Sequence, residues 1–402
     1  MKFKSTVLFL HRWIGLISGL VVFMVSITGA IFVFERELFA VFHPGYCTVD
    51  VRPGAAPLSL STLIKNAQAA TDHPITIIRI PGTHDKTQSY VFESLKRQPK
   101  NKVTGLFANE EIIYWDRIFV DPYRGKVLGK IDVETSFFWI VRQIHQFLYI
   151  RRDLGSVIVG SSVLLFIITL ISGLIIWWPK NRKVAIKRLK IDFRSKWKRL
   201  NYDLHQVLGF YIFAIALLIA STGLVWSFKW WEASIYWILD GKHPDKGIAT
   251  PPASNPSDKQ SSPAPLNLMW ADVQTIYREH QGVHINLLTE LAQANVTIYY
   301  PGSTWWSASD TYAYNMHNGT PYFKRLQQDK TLGMKWRNSN YDIHVGKIAG
   351  LPGMCIAFIG SLICASLPLT GCYIWYGRKF RKKTKSKERP SRTKRKSKQL
   401  QF

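Results

Sequence analysis

The clearest indication of the fold lies in residues 341–379, which read YDIHVGKIAGLPGMCIAFIGSLICASLPLTGCYIWYGRK. Within it, residues 348–377 contain no Asp, Glu, Lys or Arg, and about 20 apolar residues are enough to cross the hydrocarbon core of a bilayer. His344 lies just before this uncharged run, and Arg378 and Lys379 follow it. The stretch therefore predicts a membrane-spanning helix with a histidine near its start and a basic flank at its end.

Three further uncharged runs have the length of a membrane span, and they cover residues 14–34, 154–178 and 208–228. A histidine precedes each run, and a Thr-Gly or Ser-Gly step lies within it. The spacing repeats, because His11 and His205 stand 18 residues before Gly29 and Gly223, and His145 and His344 stand 28 and 27 residues before Gly173 and Gly371. This repeat predicts a four-helix transmembrane bundle made from a duplicated two-span unit, with a pseudo-two-fold axis along the membrane normal.

The charge of the chain is concentrated beside these runs. The sequence has 53 Lys and Arg against 26 Asp and Glu, and 26 of the basic residues lie in residues 1–12, 179–205 and 377–402. Basic flanks of this kind are typical of the cytoplasmic ends of membrane spans, so the charge indicates orientation and attraction to anionic lipids rather than a nucleic-acid partner. Soluble enzymes, secreted proteins and transcription factors are excluded as classes. We expect a multi-pass protein of the bacterial inner membrane with both termini in the cytoplasm.

This topology divides the chain into eight segments. The four spans fall in residues 1–35, 138–178, 205–228 and 341–377, the first together with the cytoplasmic N-terminus. On the cytoplasmic side, we expect a basic loop over residues 179–204 and a basic disordered tail over residues 378–402. Residues 36–137 and 229–340 are expected in the periplasm, and residues 243–265 contain six prolines and are predicted to be a linker.

The two periplasmic segments have similar patterns. The first predicts a helix over residues 58–70 that begins at Ser59 or Ser61, strands over 75–80 and 89–94, and a hairpin over 118–128. The second predicts a helix over residues 268–279, a strand over 295–300 and a hairpin over 311–325 that turns at Asn318-Gly319. We therefore expect two small α+β units.

The four histidines fall two on each side of the membrane, His11 and His205 on the cytoplasmic side and His145 and His344 on the outer side. Neutral imidazole is a ligand of haem iron, so this placement suits two bis-histidine haems stacked across the bilayer. The alternative is a duplicated structural signature whose histidines only form hydrogen bonds. The Thr-Gly and Ser-Gly steps are interpreted as ordinary small-residue contacts between helices.

Several other residues are weaker candidates for the same chemistry. Arg12 and Arg142 lie near the histidines and are candidates to pair with haem propionates. If its helix were continuous, His145 would lie about 13 Å outside the second uncharged run, at the outer surface. The i, i+4 pair His280 and His284 would hold a metal only on a helix. Four aromatic residues are candidates for a chelate site, with core packing as the alternative: Trp305, Trp306, Tyr312 and Tyr314.

Several phrases of the sequence resemble one family. They are Phe147-Leu148 after His145, Gly155, SGLIIWWP over residues 172–179, IFVDPYRGKVL over residues 118–128 and, most specifically, residues 341–379. On these phrases the chain resembles the PepSY-associated transmembrane proteins from His11 to Lys379. The resemblance implies that the two periplasmic units are PepSY-like.

The resemblance also implies a function. It implies a b-type haem protein that reduces a periplasmic ferric siderophore or other ferric chelate and releases Fe(II) for iron uptake, with His11, His145, His205 and His344 as iron ligands. The sequence has no Gly-rich nucleotide motif, so electrons are expected from a flavoprotein docked on the basic loop or from membrane quinol. The alternative is a PepSY-type envelope binding or regulatory module anchored by four spans without redox chemistry.

Overall fold

The computed structural model describes residues 2–99, 102–243, 264–302 and 307–379. Most of the predicted linker, residues 244–263, lies outside the described residues. So do Trp305, Trp306 and residues 380–402 of the predicted tail.

Four long helices in the described ranges are long and apolar enough to cross a membrane, as predicted. They are α1 (Lys2–Val33), α6 (Arg152–Trp177), α8 (Trp197–Ser227) and α12 (Gly350–Lys379). The chain is therefore a multi-pass membrane protein.

The four long helices form a ring in which each packs against two neighbours. Helices α1 and α8 both contact α6 and α12, so α1 faces α8 across the bundle. Small residues bring neighbours close, and a Cβ atom on Gly19 would lie 3.3 Å from Pro368 of α12. Part of the core is an apolar cluster that joins three of the helices through Leu170, Ile212, Ala216, Cys364 and Leu367.

Eight shorter helices complete the described α structure. They are α2 (Glu35–Phe42), α3 (Pro44–Cys47), α4 (Leu60–Gln68), α5 (Phe137–Phe147), α7 (Arg182–Arg188), α9 (Lys229–Asp240), α10 (Pro265–Ile276) and α11 (Leu332–His344).

The second and fourth spans are each preceded by a separate short helix. Helix α5 ends before Leu148 and Tyr149, whose φ values of 56° and 61° reverse the chain, and it packs against α1 as well as α6. Between α11 and α12, Gly346 and Gly350 have φ values of 78° and 62° around a 3-10 turn over Lys347–Ala349. The helix is therefore not continuous from His145 into the span, so the condition under which His145 would lie about 13 Å outside the span is not met.

The strands form one antiparallel sheet of eight strands in the order β4-β3-β2-β1-β5-β6-β7-β8. The first segment supplies β1 (Ile77–Pro81), β2 (Tyr90–Arg97), β3 (Ile112–Val120) and β4 (Val127–Asp132). The second segment supplies β5 (Gly282–Leu288), β6 (Gln293–Tyr299), β7 (Ser309–Asn315) and β8 (Thr320–Arg325).

The seam between the halves is the pairing of β1 with β5, where Ile78 is opposite Ile285. The expectation of two separate α+β units is corrected, because one sheet continues through both segments. The two predicted hairpins are confirmed, and so are the helix that begins after Ser59 and the turn at Asn318-Gly319, where Gly319 has a φ of 76°.

The two faces of the sheet have different neighbours. One face is the apolar core, where Ile78, Phe92 and Ile285 are fully buried and Met269 of α10 packs against them. The other face is turned to the bundle, since the ring of Phe119 stacks on Phe39 of α2. The sheet therefore lies over the end of the bundle from which α5 and α11 arise.

Candidate functional site

The histidines that precede the spans come together as two pairs inside the bundle. His11 of α1 and His205 of α8 face each other across the ring of helices, with ring centroids 6.4 Å apart and an interplanar angle of 81°. We call them the basic-side pair, since they lie at the end of the bundle that adjoins the basic segments. The sequence predicted that these two residues share one end of the bundle, and the geometry places their rings side by side.

The second pair lies at the end of the bundle beneath the sheet. His145 at the end of α5 and His344 at the end of α11 have ring centroids 6.1 Å apart and an interplanar angle of 62°. We call them the sheet-side pair. Because α5 and α11 are separate from the spans that follow them, both helices turn their last residues inward. The imidazoles of both pairs are half-buried.

Each imidazole is held through its Nδ1 atom by a neighbouring helix. Main-chain oxygens lie at hydrogen-bond distance from three of them: His11 Nδ1 to Thr169 O at 3.1 Å, His145 Nδ1 to Val25 O at 2.9 Å, and His344 Nδ1 to Ile219 O at 3.0 Å. A hydroxyl lies near all four: Ser172 at 3.0 Å from His11, Thr28 at 3.4 Å from His145, Thr370 at 2.9 Å from His205, and Thr222 at 3.0 Å from His344.

The hydroxyl protons determine which nitrogen of each ring is protonated. Every one of the four hydroxyls donates to a carbonyl of its own helix: Thr28 to Met24 O, Ser172 to Thr169 O, Thr222 to Leu218 O and Thr370 to Ser366 O. The hydroxyl oxygens and the carbonyls are therefore acceptors, so each imidazole donates from Nδ1. The lone pair is then on Nε2, which is the nitrogen a metal ion would bind.

The glycine of each Thr-Gly or Ser-Gly step gives the imidazole its space. A Cβ atom would lie 2.9 Å from the His145 ring at Gly29, 3.2 Å from the His11 ring at Gly173, and 3.3 Å from the His344 and His205 rings at Gly223 and Gly371. The interpretation of these steps as ordinary helix contacts is thus corrected. In every step the hydroxyl residue accepts from the histidine of another helix and the glycine lies against its ring.

Two asparagines that the sequence analysis did not single out support the same steps. Asn201 Nδ2 donates to Thr370 O, and Asn340 Nδ2 donates to Thr222 O, both at 3.1 Å. Each asparagine lies one helical turn before a histidine, so the two side chains contact the same threonine, Thr370 or Thr222. The signal was present in the repeat, because NYDLH at residues 201–205 and NYDIH at residues 340–344 both begin with asparagine.

The two candidate arginines have different surroundings. Arg12 is exposed, with its guanidinium carbon 5.7 Å from the ring centroids of Phe9 and Trp13 on its own helix. Arg142 lies on α5 one turn before His145, with its guanidinium carbon 5.2 Å from the Trp115 ring centroid. The Nε atom of Arg142 is buried and has no hydrogen-bond partner among the described residues, so this arginine is able to bind a further anion.

The remaining sequence candidates do not form the sites that the sequence suggested for them. His280 precedes β5 and His284 lies within it, so they are four residues apart along extended chain rather than on one turn of helix. Tyr312 and Tyr314 are buried in the sheet core, and Tyr314 donates to Asp272 at 2.7 Å. Within the described ranges, no cluster of three or more His, Cys, Asp or Glu residues could hold a metal ion.

The residues around the two pairs fit haem. Two imidazoles bound on opposite sides of one metal ion, with bonds of about 2.0 to 2.1 Å, have ring centroids about 6.3 Å apart. The basic-side and sheet-side pairs have centroid distances of 6.4 and 6.1 Å. The protonated Nδ1 atoms, the space left by the glycines and the unpartnered Arg142 Nε are compatible with such a group.

A bundle of four spans with one pair of opposed histidines at each end, and with an antiparallel sheet over one of these ends, defines a class of multi-pass membrane protein with two candidate bis-imidazole sites. The family described as PepSY-associated TM region matches residues 8–378. The chain belongs to this family, and the resemblance noted in the sequence is confirmed. No curated protein matches the chain.

Proposed function

We propose that the chain is a haem protein of the bacterial inner membrane that passes electrons across the membrane to reduce a ferric siderophore or other ferric chelate. The observation that carries this proposal is the pair of opposed imidazoles at each end of one bundle. A structural histidine needs a hydrogen-bond partner, but it has no need of a second imidazole opposite it with Nε2 unprotonated. That arrangement at both ends of the bundle favours electron transfer over a purely structural role.

Two b-type haems bound at these pairs would supply one-electron redox chemistry. His11 and His205 would hold one haem, and His145 and His344 the other. The protein would fix each imidazole through its Nδ1 atom, which keeps Nε2 neutral and oriented. Arg142 would neutralise a propionate near the sheet-side pair, and Arg12 would do so near the basic-side pair only if its side chain left the rings of Phe9 and Trp13.

The proposed direction follows from the arrangement of charge. The basic segments would lie in the cytoplasm, with both termini, and the sheet would lie in the periplasm. The two halves of the chain would be copies of a two-span unit, since the histidine spacing, the glycine steps and the four strands from each half all repeat. One histidine pair would then serve each side of the membrane.

The proposed reaction adds one electron to Fe(III) in the chelate. Hard oxygen donors hold Fe(II) less well than Fe(III), so iron would be released for uptake without cleavage of the chelating molecule. The electron donor would be a flavoprotein docked on the basic loop or membrane quinol. Anionic lipids are the other proposed partner of the basic segments.

The first experiment is the absorption spectrum of the detergent-purified chain, oxidised and reduced with dithionite, with haem quantified. We expect sharp reduced bands and about two haems per chain. His11→Ala or His205→Ala should remove one haem, and His145→Ala or His344→Ala the other. His73→Ala is the matched control, because its ring stacks on Tyr114 of the sheet, away from the pairs.

A colourless wild-type chain from haem-replete cells would contradict the proposal. It would leave the PepSY-type envelope binding module as the better account. Haem that survives all four single substitutions would place the cofactor elsewhere in the chain.

A further inference from the structure

The sheet face that is turned to the bundle is polar along its centre. In the strand register, Arg79 of β1 lies opposite His284 of β5, and His284 lies opposite Thr297 of β6. The next row on the same face contains Asn286 and Asn295, which also pair with each other. These five residues occupy two adjacent rows of the same face, and we refer to them together as the polar row. An apolar covering would be expected where a sheet face packs on a bundle, so this polarity needs another explanation.

The polar row lies close to the helices that carry the sheet-side pair. On one side, Trp115 of the same face contacts Arg142, which stands three residues before His145. On the other side, Ser307, between β6 and β7, donates to the carboxylate of Asp342, two residues before His344. A molecule bound at the centre of this face would therefore lie between α5 and α11. It would be at the end of the bundle that holds His145 and His344.

Two arginines lie beside the polar row and share one buried carboxylate. Glu93 has no exposed surface, and its carboxylate accepts from Arg117 Nε at 2.7 Å and from Trp115 Nε1 at 3.3 Å. The Nε atom of Arg79 lies 3.4 Å from the same carboxylate, but half of the Arg79 side chain is exposed. Two guanidinium groups thus surround one carboxylate, and Arg79 retains donors for an anion.

His284 has a polar atom that lacks a partner. Its Nε2 is buried and forms no hydrogen bond with the described residues. Buried polar atoms in proteins are nearly always paired with protein, water or ligand. His284 lies opposite Arg79 in the row, so a molecule bound to Arg79 would lie beside the His284 ring and would reach Nε2 after a rotation of that side chain.

We propose that the polar row is the binding site for the ferric chelate and that it selects chelates with negatively charged carboxylate or catecholate oxygens over cationic hydroxamate complexes. Arg79 supplies the charge, and His284, Thr297, Asn286 and Asn295 supply hydrogen bonds to oxygen atoms. This inference rests on the proposed function, because it names the substrate class of that reaction. One electron from the donor converts Fe(III) to Fe(II), and no covalent bond of the chelating molecule breaks.

The test uses gallium(III) chelates, since Ga(III) resembles Fe(III) in size and charge but is not reduced. Binding of gallium(III) citrate and of a cationic gallium(III) trihydroxamate to the full purified chain is measured by calorimetry. We expect Arg79→Gln to weaken binding of the anionic chelate about tenfold, as for one charge-assisted hydrogen bond, and to leave the cationic chelate unaffected. His284→Phe should also weaken it, and His284→Asn should restore part of the affinity.

The matched control is Arg124→Gln, which removes an equal charge from an exposed position in the turn after β3. Asn286→Ala is a second variant that leaves the Glu93 contacts intact, and thermal melting of every variant verifies folding. The proposal is overturned if the wild-type chain binds neither gallium chelate, prefers the cationic one, or binds equally well after Arg79→Gln and Arg124→Gln.

The two proposals fail in different ways. If the chain reduces ferric chelates at rates that do not depend on Arg79, His284 or Asn286, the polar row is not the site, but the reductase function stands. If gallium binding depends on these residues but the chain contains no haem, the site stands and the reductase function fails.

Discussion

At the scale of single residues, each candidate ligand depends on a step of two residues in another helix. The hydroxyl of Thr28, Ser172, Thr222 or Thr370 orients an imidazole, and the glycine that follows leaves room for its ring. A larger residue in place of the glycine would push the ring away from its acceptor. The four glycines are therefore as important for imidazole position as the hydroxyls.

Gly29 allows the sharpest test of this dependence. A Cβ atom at Gly29 would lie 2.9 Å from His145 Cε1, closer than carbon atoms pack, so Gly29→Ala should displace the His145 ring. We expect haem at the sheet-side pair to be held about tenfold or more weakly, while the basic-side pair keeps its haem. The measurement is haem per chain during titration with a haem-scavenging apoprotein.

Gly15→Ala is the control on the same helix, because its Cβ atom would lie 3.7 Å from Thr169, an ordinary contact. Equal haem retention in the two variants would show that the space at Gly29 does not matter for the ligand.

The histidines could be predicted from the sequence, but the Thr-Gly or Ser-Gly step that each histidine contacts could not. Each histidine precedes the Thr-Gly or Ser-Gly step of its own span by 18, 27 or 28 residues, and the repeat was apparent from this spacing. In the structure His11 contacts Gly173, and His205 contacts Gly371, both in other spans. Which helices are neighbours depends on packing of the whole bundle, and spacing along one span does not report it.

At the scale of elements, the short helices α5 and α11 determine where the sheet-side pair lies. A continuous helix would carry His145 and His344 away from the bundle. A break after each short helix instead directs that short helix back towards the bundle. The break before α12 uses glycines with positive φ, but the break before α6 uses Leu148 and Tyr149, residue types that rarely adopt this conformation. The break after α5 could therefore not be predicted from these residue types.

Gly346 tests the role of the break before α12. Its φ of 78° is unfavourable by about 1 to 2 kcal/mol for a residue with a side chain. In addition, a Cβ atom would lie 2.1 Å from Gly353 O. Gly346→Ala should lower the melting temperature of the purified chain and release haem from the sheet-side pair first. Intrinsic tryptophan fluorescence during heating and haem quantification measure the two effects.

Gly377→Ala is the matched substitution near the other end of α12, where no atom lies within 4 Å of the added Cβ. Its melting temperature and haem content should remain at wild-type values. If Gly346→Ala behaves in the same way, the turn before α12 does not determine the position of His344.

At the scale of the whole molecule, the two halves of the chain are joined by the bundle and by the sheet. The sheet connects to α5 through its first half and to α11 through its second half, so the seam between β1 and β5 links the supports of His145 and His344. The sequence predicted most strands within each half from local patterns, but not β5 or the seam. Strands about 200 residues apart pair through the tertiary fold, for which a local pattern has no signal.

A cysteine pair across the seam tests whether the sheet is continuous. Ile77 and Asn286 are opposite each other on the polar face, and opposed residues of antiparallel strands have Cα atoms about 4.5 to 5.5 Å apart, within the range for a disulfide. Ile77→Cys with Asn286→Cys, in a chain with Cys47→Ser, should form a disulfide on mild oxidation, detected by mass spectrometry of the unreduced peptides. Ile77→Cys with Ala313→Cys is the control, because Ala313 lies three strands from Ile77, about 14 Å away, and should not cross-link. The cross-linked chain should retain both haems, since the disulfide fixes strands that are already adjacent. If no cross-link forms, or if the control pair cross-links equally, the two halves form separate units.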